Sequence, residues 1–174
     1  MAASRNKPSS NLAGRVAAFL ATRASGEERL SVGLSGGCDS VVLVHVLVEL
    51  GFGERLDVIH VHHGLSPNAG CWATFCTDYC QRLGLACRVA PVEVARDSGL
   101  GLEAAARAAR YEVFSGMAAD KLLLGHHQGD QAETVLFNLL RGAGVRGAAA
   151  IPVERRQGHL RILRPLLDVS RNEI

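Results

Sequence analysis

No run of about 18 consecutive apolar residues occurs in this 174-residue chain, so it carries no segment able to span a bilayer as a helix. None of its five cysteines, Cys38, Cys71, Cys76, Cys80 and Cys87, forms a Cys-x-x-Cys pair. That absence argues against zinc ribbons, thioredoxin-type centres and a secreted disulfide framework, and for reduced thiols in the cytoplasm. Internal repeats and low-complexity tracts are also missing. What remains is 48% hydrophobic and 21% charged, the profile of one globular domain that needs neither metal nor cystine to hold its fold.

The net charge is only +2, but it is unevenly placed. Residues 1–140 hold 12 basic and 14 acidic groups, whereas residues 141–174 hold 7 arginines against 3 acids. A basic end on a near-neutral body suits a polyanion, and Arg141, Arg146, Arg155 and Arg156 are the arginines placed to meet phosphates. The first 26 residues carry Arg5, Lys7, Arg15 and Arg23 with no acid, a composition shared with organellar transit peptides. The helical spacing of Leu12, Val16, Phe19 and Leu20 favours a different reading, a disordered tail over residues 1–11 and a helix over Leu12 to Ala24.

Short β-branched runs alternate with longer 3.6-period stretches, the pattern of repeated βα units around a parallel sheet. Five strands are expected, at Leu30 to Leu34, Leu56 to Val61, Ala86 to Val92, Lys121 to Gly125 and Leu160 to Leu163. Helices are expected near Asp39 to Leu50, Cys71 to Leu83, Leu102 to Ala119 and Asp130 to Leu140. Right-handed crossovers place them on both faces of a doubly wound, Rossmann-like α/β sheet. Ser170-x-x-Glu173 has the form of a capping box, which predicts a helix beginning at the end of the sequence and a longer protein continuing beyond it.

Ligands of such sheets bind beyond the carboxyl ends of the strands, where strand order reverses. The first of these loops is Ser35-Gly36-Gly37-Cys38-Asp39-Ser40, leading into a helix. Two glycines permit a tight turn and close approach, and the helix N-terminus offers free amides to an anion, most naturally a phosphate. The lysine of a nucleotide-hydrolysing P-loop is missing, and so is Gly-x-Gly-x-x-Gly with its distal acid. As a plain turn the segment would need only Asp39 as an N-cap.

Ser-Gly-Gly-x-Asp-Ser resembles the pyrophosphate loop of the N-type ATP pyrophosphatases, the PP-loop superfamily. Further segments narrow the likeness: 61–69 (Val61, His62, His63, Gly64, Leu65, Ser66, Pro67, Asn68, Ala69), Arg107 with Arg110 and Tyr111, and 125–134 from Gly125 to Thr134, followed by Arg141-Gly142-Ala143-Gly144. Together, in order from about Leu12 to the end, these are similar to the catalytic domain of the tRNA(Ile)-lysidine synthase family. The resemblance implies that residues 12–174 form a PP-loop catalytic domain. It also implies a ligase that adenylates the C2 oxygen of the wobble cytidine of an isoleucine tRNA with ATP and then joins lysine to C2, releasing AMP and pyrophosphate. ATP, Mg²⁺, lysine and isoleucine tRNA are its implied cofactors and partners.

Carried onto this sequence, the resemblance makes Ser35, Gly36, Gly37, Cys38, Asp39, Ser40, His62, Arg107, Arg110 and Gly125 the nucleotide-binding set. Asp39 is the metal ligand, with Asp39, Arg110 and His126 the catalytic residues and Asp130 and Glu133 the lysine site. Several of these admit plainer readings. Arg107 and Arg110 share one helix face and also suit a solvated surface pair. Glu103 suits a helix N-terminus and Tyr111 a core. Asp130-x-x-Glu133 is itself a capping-box pattern. His60, His62 and His63 are three imidazoles without a nearby carboxylate or thiol in sequence, a poor metal set. Cys71, Cys76 and Cys80 share one helix and are expected to be buried as small hydrophobes. The family often has two adjacent acids before Gln131, where this chain has Gly129-Asp130. Two other functions fit the same residues, a PP-loop enzyme acting on a tRNA sulfur acceptor or an amide, and a catalytically silent nucleotide- or tRNA-binding fragment.

Overall fold

The structure is a computed structural model that describes residues 11–24, 26–95, 101–142 and 149–174. The expected disordered tail therefore lies almost wholly outside the described residues, as does Arg146. Six strands form one sheet: β1 (Leu30–Gly33), β2 (Leu56–His62), β3 (Cys87–Pro91), β4 (Lys121–Leu123), β5 (Glu154–Gln157) and β6 (Leu160–Leu163). Among the described residues five α-helices accompany them: α1 (Leu12–Ala21), α2 (Cys38–Glu49), α3 (Ala69–Arg82), α4 (Leu102–Ser115) and α5 (Gln128–Leu140).

The strand order is β3-β2-β1-β4-β6-β5, with β5 alone antiparallel. The five expected strands are all present and mutually parallel. Chain order runs outward from β1 through β2 to β3, then jumps back to β4 on the other side of β1, so the reversal falls between β1 and β4. The apolar alternation explains both layers. Leu30, Val32 and Leu34 pack with α1, α2 and α3 through Val16, Leu20, Leu43, Leu47, Cys76 and Cys80. Ile59, Val61, Leu122 and Leu124 pack against Tyr111 and Phe114 of α4 on the opposite face. Each such fully buried leucine or isoleucine contributes about 1.5–3 kcal/mol.

Strand β5 was not expected, because Glu154-Arg155-Arg156-Gln157 has no apolar alternation to read. It forms by hairpin pairing with β6 across Gly158, whose φ is +60°, and Arg161 Nε donates to Glu154 Oε1 at 2.8 Å across that pair. A charged edge strand also discourages further pairing. Helix α4 stops at Ser115, four residues short of expectation, with Gly116 as its cap. Helix α1 ends at Ala21 rather than Ala24. No helix begins at Ser170. The Glu173 carboxylate accepts the Ser170 amide at 3.0 Å, half of a capping box, but the Ser170 hydroxyl donates to the same carboxylate at 2.6 Å, and residues 171–173 form a turn. No helix among the described residues is long and apolar enough to cross a membrane.

Candidate active site

At the carboxyl end of β1 the chain turns through Ser35, Gly36 and Gly37 into α2. Gly36 has φ +89°, a conformation that costs a β-carbon-bearing residue roughly 1–2 kcal/mol. Its α-carbon also backs onto α3, where an added β-carbon would stand 3.5 Å from Cys76 Sγ. The buried Ser40 hydroxyl braces the turn from behind, donating to the Gly37 carbonyl at 2.8 Å and lying 3.0 Å from the Ser35 hydroxyl. Ser40 thus shapes the loop, while Ser35, Gly37 and Cys38 are exposed at its rim. No side chain caps α2, whose N-cap is Gly37. Its first-turn amides point outward as an anion site.

A cavity of about 420 Å³ opens beside this loop, lined by Ser35, Gly36 and Gly37, by His60, His62 and His63 from the end of β2, and by Arg110 from α4. Its apolar wall is made of Gly33, Ile59, Val61, Phe114 and Leu124, with Trp72 of α3 at one side. The lining therefore combines apolar side chains with hydrogen-bond donors, the two kinds of surface that a nucleotide's base and phosphates need. Arg110 is half-buried, and burial lowers its pKa from the ordinary arginine value. Arg107 lies outside the lining, exposed, with its guanidinium 5.1 Å from the centre of the Tyr111 ring. Of the histidines in this region, His60 is buried and hydrogen-bonded through Nδ1 to the Leu34 carbonyl at 2.8 Å, a structural position. No group of three or more His, Cys, Asp or Glu side chains is arranged for a metal among the described residues.

Across the strand-order reversal, Gly125 follows β4 and touches the start of α2. A β-carbon there would come to 3.0 Å from the backbone of Asp39 and Ser40, so the close approach requires glycine. His127 then caps α5. Its Nδ1 accepts the Gly129 amide at 2.8 Å, and its own amide donates to Asp130 Oδ2 at 2.7 Å. The capping box is therefore His127 with Asp130, and the N-cap of α5 stands three residues earlier than the Asp130-Glu133 pattern predicts. Asp130 sits inside the first turn, where its carboxylate also faces the helix dipole. Glu133 is exposed one turn along.

Asp39 brings the two loops together. His127 Nε2 lies 3.8 Å from Asp39 Oδ2, and Arg171 pairs with Asp39 Oδ1. One carboxylate beside a phosphate cradle fits Mg²⁺, which commonly takes one or two carboxylates, substrate phosphates and several waters. His126 turns to the α4 face instead. Its Nδ1 accepts a hydrogen bond from Arg164 Nε at 3.3 Å, and burial, with the nearby Arg164 charge, pushes its pKa down to about 4.

Three features of the site were not singled out in sequence. Trp72 gave no signal, because its role as a wall depends on α3 crossing beside Gly36. Arg164, at 1% exposure the most deeply buried arginine among the described residues, sits at the edge of an apolar run and reads as a loop charge. His127 as a cap was hidden by the stronger Asp-x-x-Glu pattern. Cys71, expected to be buried, is exposed, since only Cys76 and Cys80 share the inner face of α3. Burial pushes the Cys76 thiol up to about 12.

The family model for the PP-loop domain matches residues 8–174. Among curated relatives, the tRNA(Ile)-lysidine synthase of Azoarcus sp. (strain BH72) is 48% identical over 165 residues, 92% of this chain and 37% of that protein. The tRNA(Ile)-lysidine synthase of Aromatoleum aromaticum is 51% identical over 161 residues, 91% of this chain and 37% of that protein. The chain thus spans a little over a third of the length of these relatives. Among solved structures, the U34-tRNA thiolase NcsA from Methanococcus maripaludis superposes with a TM-score of 0.77 at 18% identity, covering 94% of this chain and 60% of that one. The NH3-dependent NAD synthetase from Campylobacter jejuni does so with a TM-score of 0.59 at 14% identity, covering 99% of this chain and 71% of that one. These two likenesses concern the fold alone.

Proposed function

The chain belongs to the PP-loop domain family, and from that premise we propose that it is the catalytic domain of an ATP-dependent ligase forming lysidine on an isoleucine tRNA. The observation that carries the reading is the cavity uniting the uncapped α2 N-terminus, the Ser35-Gly36-Gly37 turn and Arg110. The 48–51% identity to lysidine synthases supports the choice of reaction within the family.

The chemistry follows in two displacements. The C2 oxygen of the wobble cytidine attacks the α-phosphorus of ATP, and pyrophosphate leaves into the amides of Gly36, Cys38 and Asp39, with Arg110 on the phosphate oxygens. Lysine's neutral amine then attacks C2, the C2–O bond breaks, AMP departs and the surplus proton on nitrogen passes to solvent. Asp130 and Glu133, one turn apart on α5, hold the lysine ammonium that a single exposed acid would hold only weakly. Asp39 would hold Mg²⁺, which when bound would supply charge neutralisation to the phosphates. Arg141, Arg155 and Arg156 offer phosphate contacts to the tRNA, and the reaction belongs to the cytoplasm.

Incubation with ATP, Mg²⁺, labelled lysine and an isoleucine tRNA transcript bearing a wobble cytidine, followed by nucleoside analysis, tests the reading, with Ser35→Ala as control. Lysidine in the wild-type reaction alone supports it. ATP binding without label in the tRNA moves the weight to a different acceptor or to a silent nucleotide-binding domain.

A further inference from the structure

Four arginines converge on one buried phenol. The Cζ atoms of Arg107, Arg110 and Arg155 stand 5.1, 5.9 and 5.9 Å from the centre of the Tyr111 ring. Arg107 Nη2 donates to the Tyr111 hydroxyl at 3.4 Å, and the enclosed Arg164 is a fourth neighbour of the same phenol. Distant parts of the chain supply them: Arg107 and Arg110 come from α4, Arg155 from β5, and Arg164 directly follows β6. Arg164 is enclosed, Arg110 half-buried, and Arg107 and Arg155 exposed, so the set runs from the interior to the surface.

Among the described residues none of the four is paired with a carboxylate, whereas Arg15, Arg29, Arg161 and Arg171 each are. Burial lowers the pKa of Arg110 and Arg164 from the ordinary arginine value. The other groups acting on them are Tyr111, which opposes the shift, Arg107 and, for Arg164, Arg155. Asp130, the acid that acts on neighbouring His126, has its carboxylate engaged by the His127 amide at 2.7 Å. The hydrogen bonds of Arg164 go to neutral groups, from Nη1 to the Pro152 carbonyl at 2.7 Å and from Nε to His126 Nδ1 at 3.3 Å. Cations gathered in this way, one of them buried, are costly without a counter-ion, and guanidinium forks match the oxygens of a phosphate.

The nucleotide already has its own cradle in the Ser35-Gly36-Gly37 turn and the α2 N-terminus, and of the four arginines only Arg110 lines that cavity. We propose that Arg107, Arg110, Arg155 and Arg164 form a second anion site, adjoining the nucleotide cavity through Arg110, that holds a backbone phosphodiester of the acceptor RNA. The identity of the polyanion rests on the proposed tRNA reading, but the convergence of four unpaired guanidiniums does not. Phosphate contacts fix the register and orientation of a strand without reading its bases, so the site would position the RNA beside the nucleotide. Placement, and not charge alone, defines it. Successive strand residues point to opposite faces of a sheet, so Arg156, with the same charge as Arg155, is directed away from Tyr111.

Fluorescence anisotropy with the labelled anticodon stem-loop of an isoleucine tRNA, repeated over a salt series, tests the site. Arg107→Ala and Arg155→Ala, both at exposed positions, should each weaken RNA binding by about threefold to tenfold. Each should also lower the salt slope by about 0.7, the value for one single-strand phosphate contact. Arg156→Ala, the same loss of charge on the other face of the sheet, should weaken binding by a smaller factor than Arg155→Ala. The calorimetric Kd for ATP with Mg²⁺ should stay within about twofold in Arg155→Ala. RNA affinity unchanged in both Arg107→Ala and Arg155→Ala overturns the proposal, as does failure of the wild type to bind the stem-loop. An equal loss in Arg156→Ala also overturns it, because only net charge would then be sensed. So does a fall in ATP affinity in Arg155→Ala as large as the fall in RNA affinity, since the cluster would then serve the nucleotide's own phosphates. RNA binding that depends on Arg107 and Arg155, without lysidine in the nucleoside assay, would defeat the proposed reaction and leave the site standing.

Discussion

The imidazole of His127 lies over Gly129: Nδ1 accepts the Gly129 amide at 2.8 Å, and Cε1 stands 2.5 Å from where a β-carbon on residue 129 would project. The missing second acid before Gln131 is therefore tied to how this helix is capped. The ring takes the space that a side chain at 129 would use, and the same ring reaches toward Asp39 with its Nε2. The two positions should be energetically coupled. In a double-mutant cycle, His127→Ala costs about 1 kcal/mol when residue 129 is glycine, and close to nothing in a Gly129→Ala background where the ring is already displaced. Urea denaturation of the four proteins measures this, and additive losses would show that the ring does not depend on glycine. Gly129→Asp bears on the site as well, since the KM for lysine then reports whether a carboxylate there helps hold the substrate.

Much of this arrangement is legible in the sequence because it rests on local rules. The Ser35-Gly36-Gly37 turn shows itself through glycines placed between an apolar run and a helical pattern, and the same alternation gives five of the six strands. What escapes is made by partners distant in sequence. Strand β5 exists only because Glu154 to Gln157 find β6 to pair with. Arg164 acquires its meaning from His126, 38 residues away, and from the carbonyl of Pro152. Asp130 reads as a cap from its neighbours alone, yet the backbone places the cap at His127, where an imidazole nitrogen accepts the amide as a hydroxyl or carboxylate would. Glycine at 125 gives no local sign of its purpose, which is the approach of Asp39.

The thiols divide by location, and that division is measurable. Cys38, at the first position of α2, and Cys71 are exposed, whereas Cys76 is enclosed with its Sγ 3.4 Å from His60 Nδ1. Iodoacetamide at neutral pH should alkylate Cys38 and Cys71 in the folded protein and leave Cys76 unmodified until urea is added. Because Cys38 sits on the phosphate cradle, saturating ATP should slow its alkylation severalfold and leave Cys71 unchanged. Peptide mass spectrometry follows each site. Equal protection of both cysteines would indicate a general tightening rather than occupation of the cradle.

Arg171 pairs with Asp39 from the turn at 171–173, and its side chain is 56% exposed, so the contact is a weakly held surface pair. It nevertheless competes for the carboxylate assigned to Mg²⁺. Arg171→Ala should leave the melting temperature within about 2 °C, because isolated exposed pairs contribute little. It should also lower the Mg²⁺ concentration that half-saturates ATP binding, by about twofold to fivefold, a difference of under roughly 1 kcal/mol. Calorimetric titration of ATP at several Mg²⁺ concentrations gives the value. A higher Mg²⁺ requirement would mean that Arg171 helps to hold the phosphates.

Acid should destabilise the domain in a window set by its buried imidazoles. His126 is held near 4, first by burial and then by Arg164, and burial likewise lowers His60 from 6.5. As pH falls below 6.5 the unfolded chain takes up protons on these histidines while the folded chain does not. The unfolded state thus binds more protons, and stability falls with pH across that interval. Their full contribution is present above pH 6.5 and is lost progressively down to about pH 4, where His126 in the folded state begins to titrate. For His126 alone the loss is at most on the order of 3 kcal/mol, and less to the extent that solvent reaches the ring. Urea denaturation between pH 4 and 7.5 measures the slope, and His126→Gln, which cannot titrate, should flatten it over that range. An unchanged slope in the variant would mean that the acid sensitivity resides in His60 or in the carboxylates. A slope that steepens in His126→Gln would mean that His126 is protonated in the folded chain at these pH values, because the imidazole would then be opposing the acid loss rather than causing it.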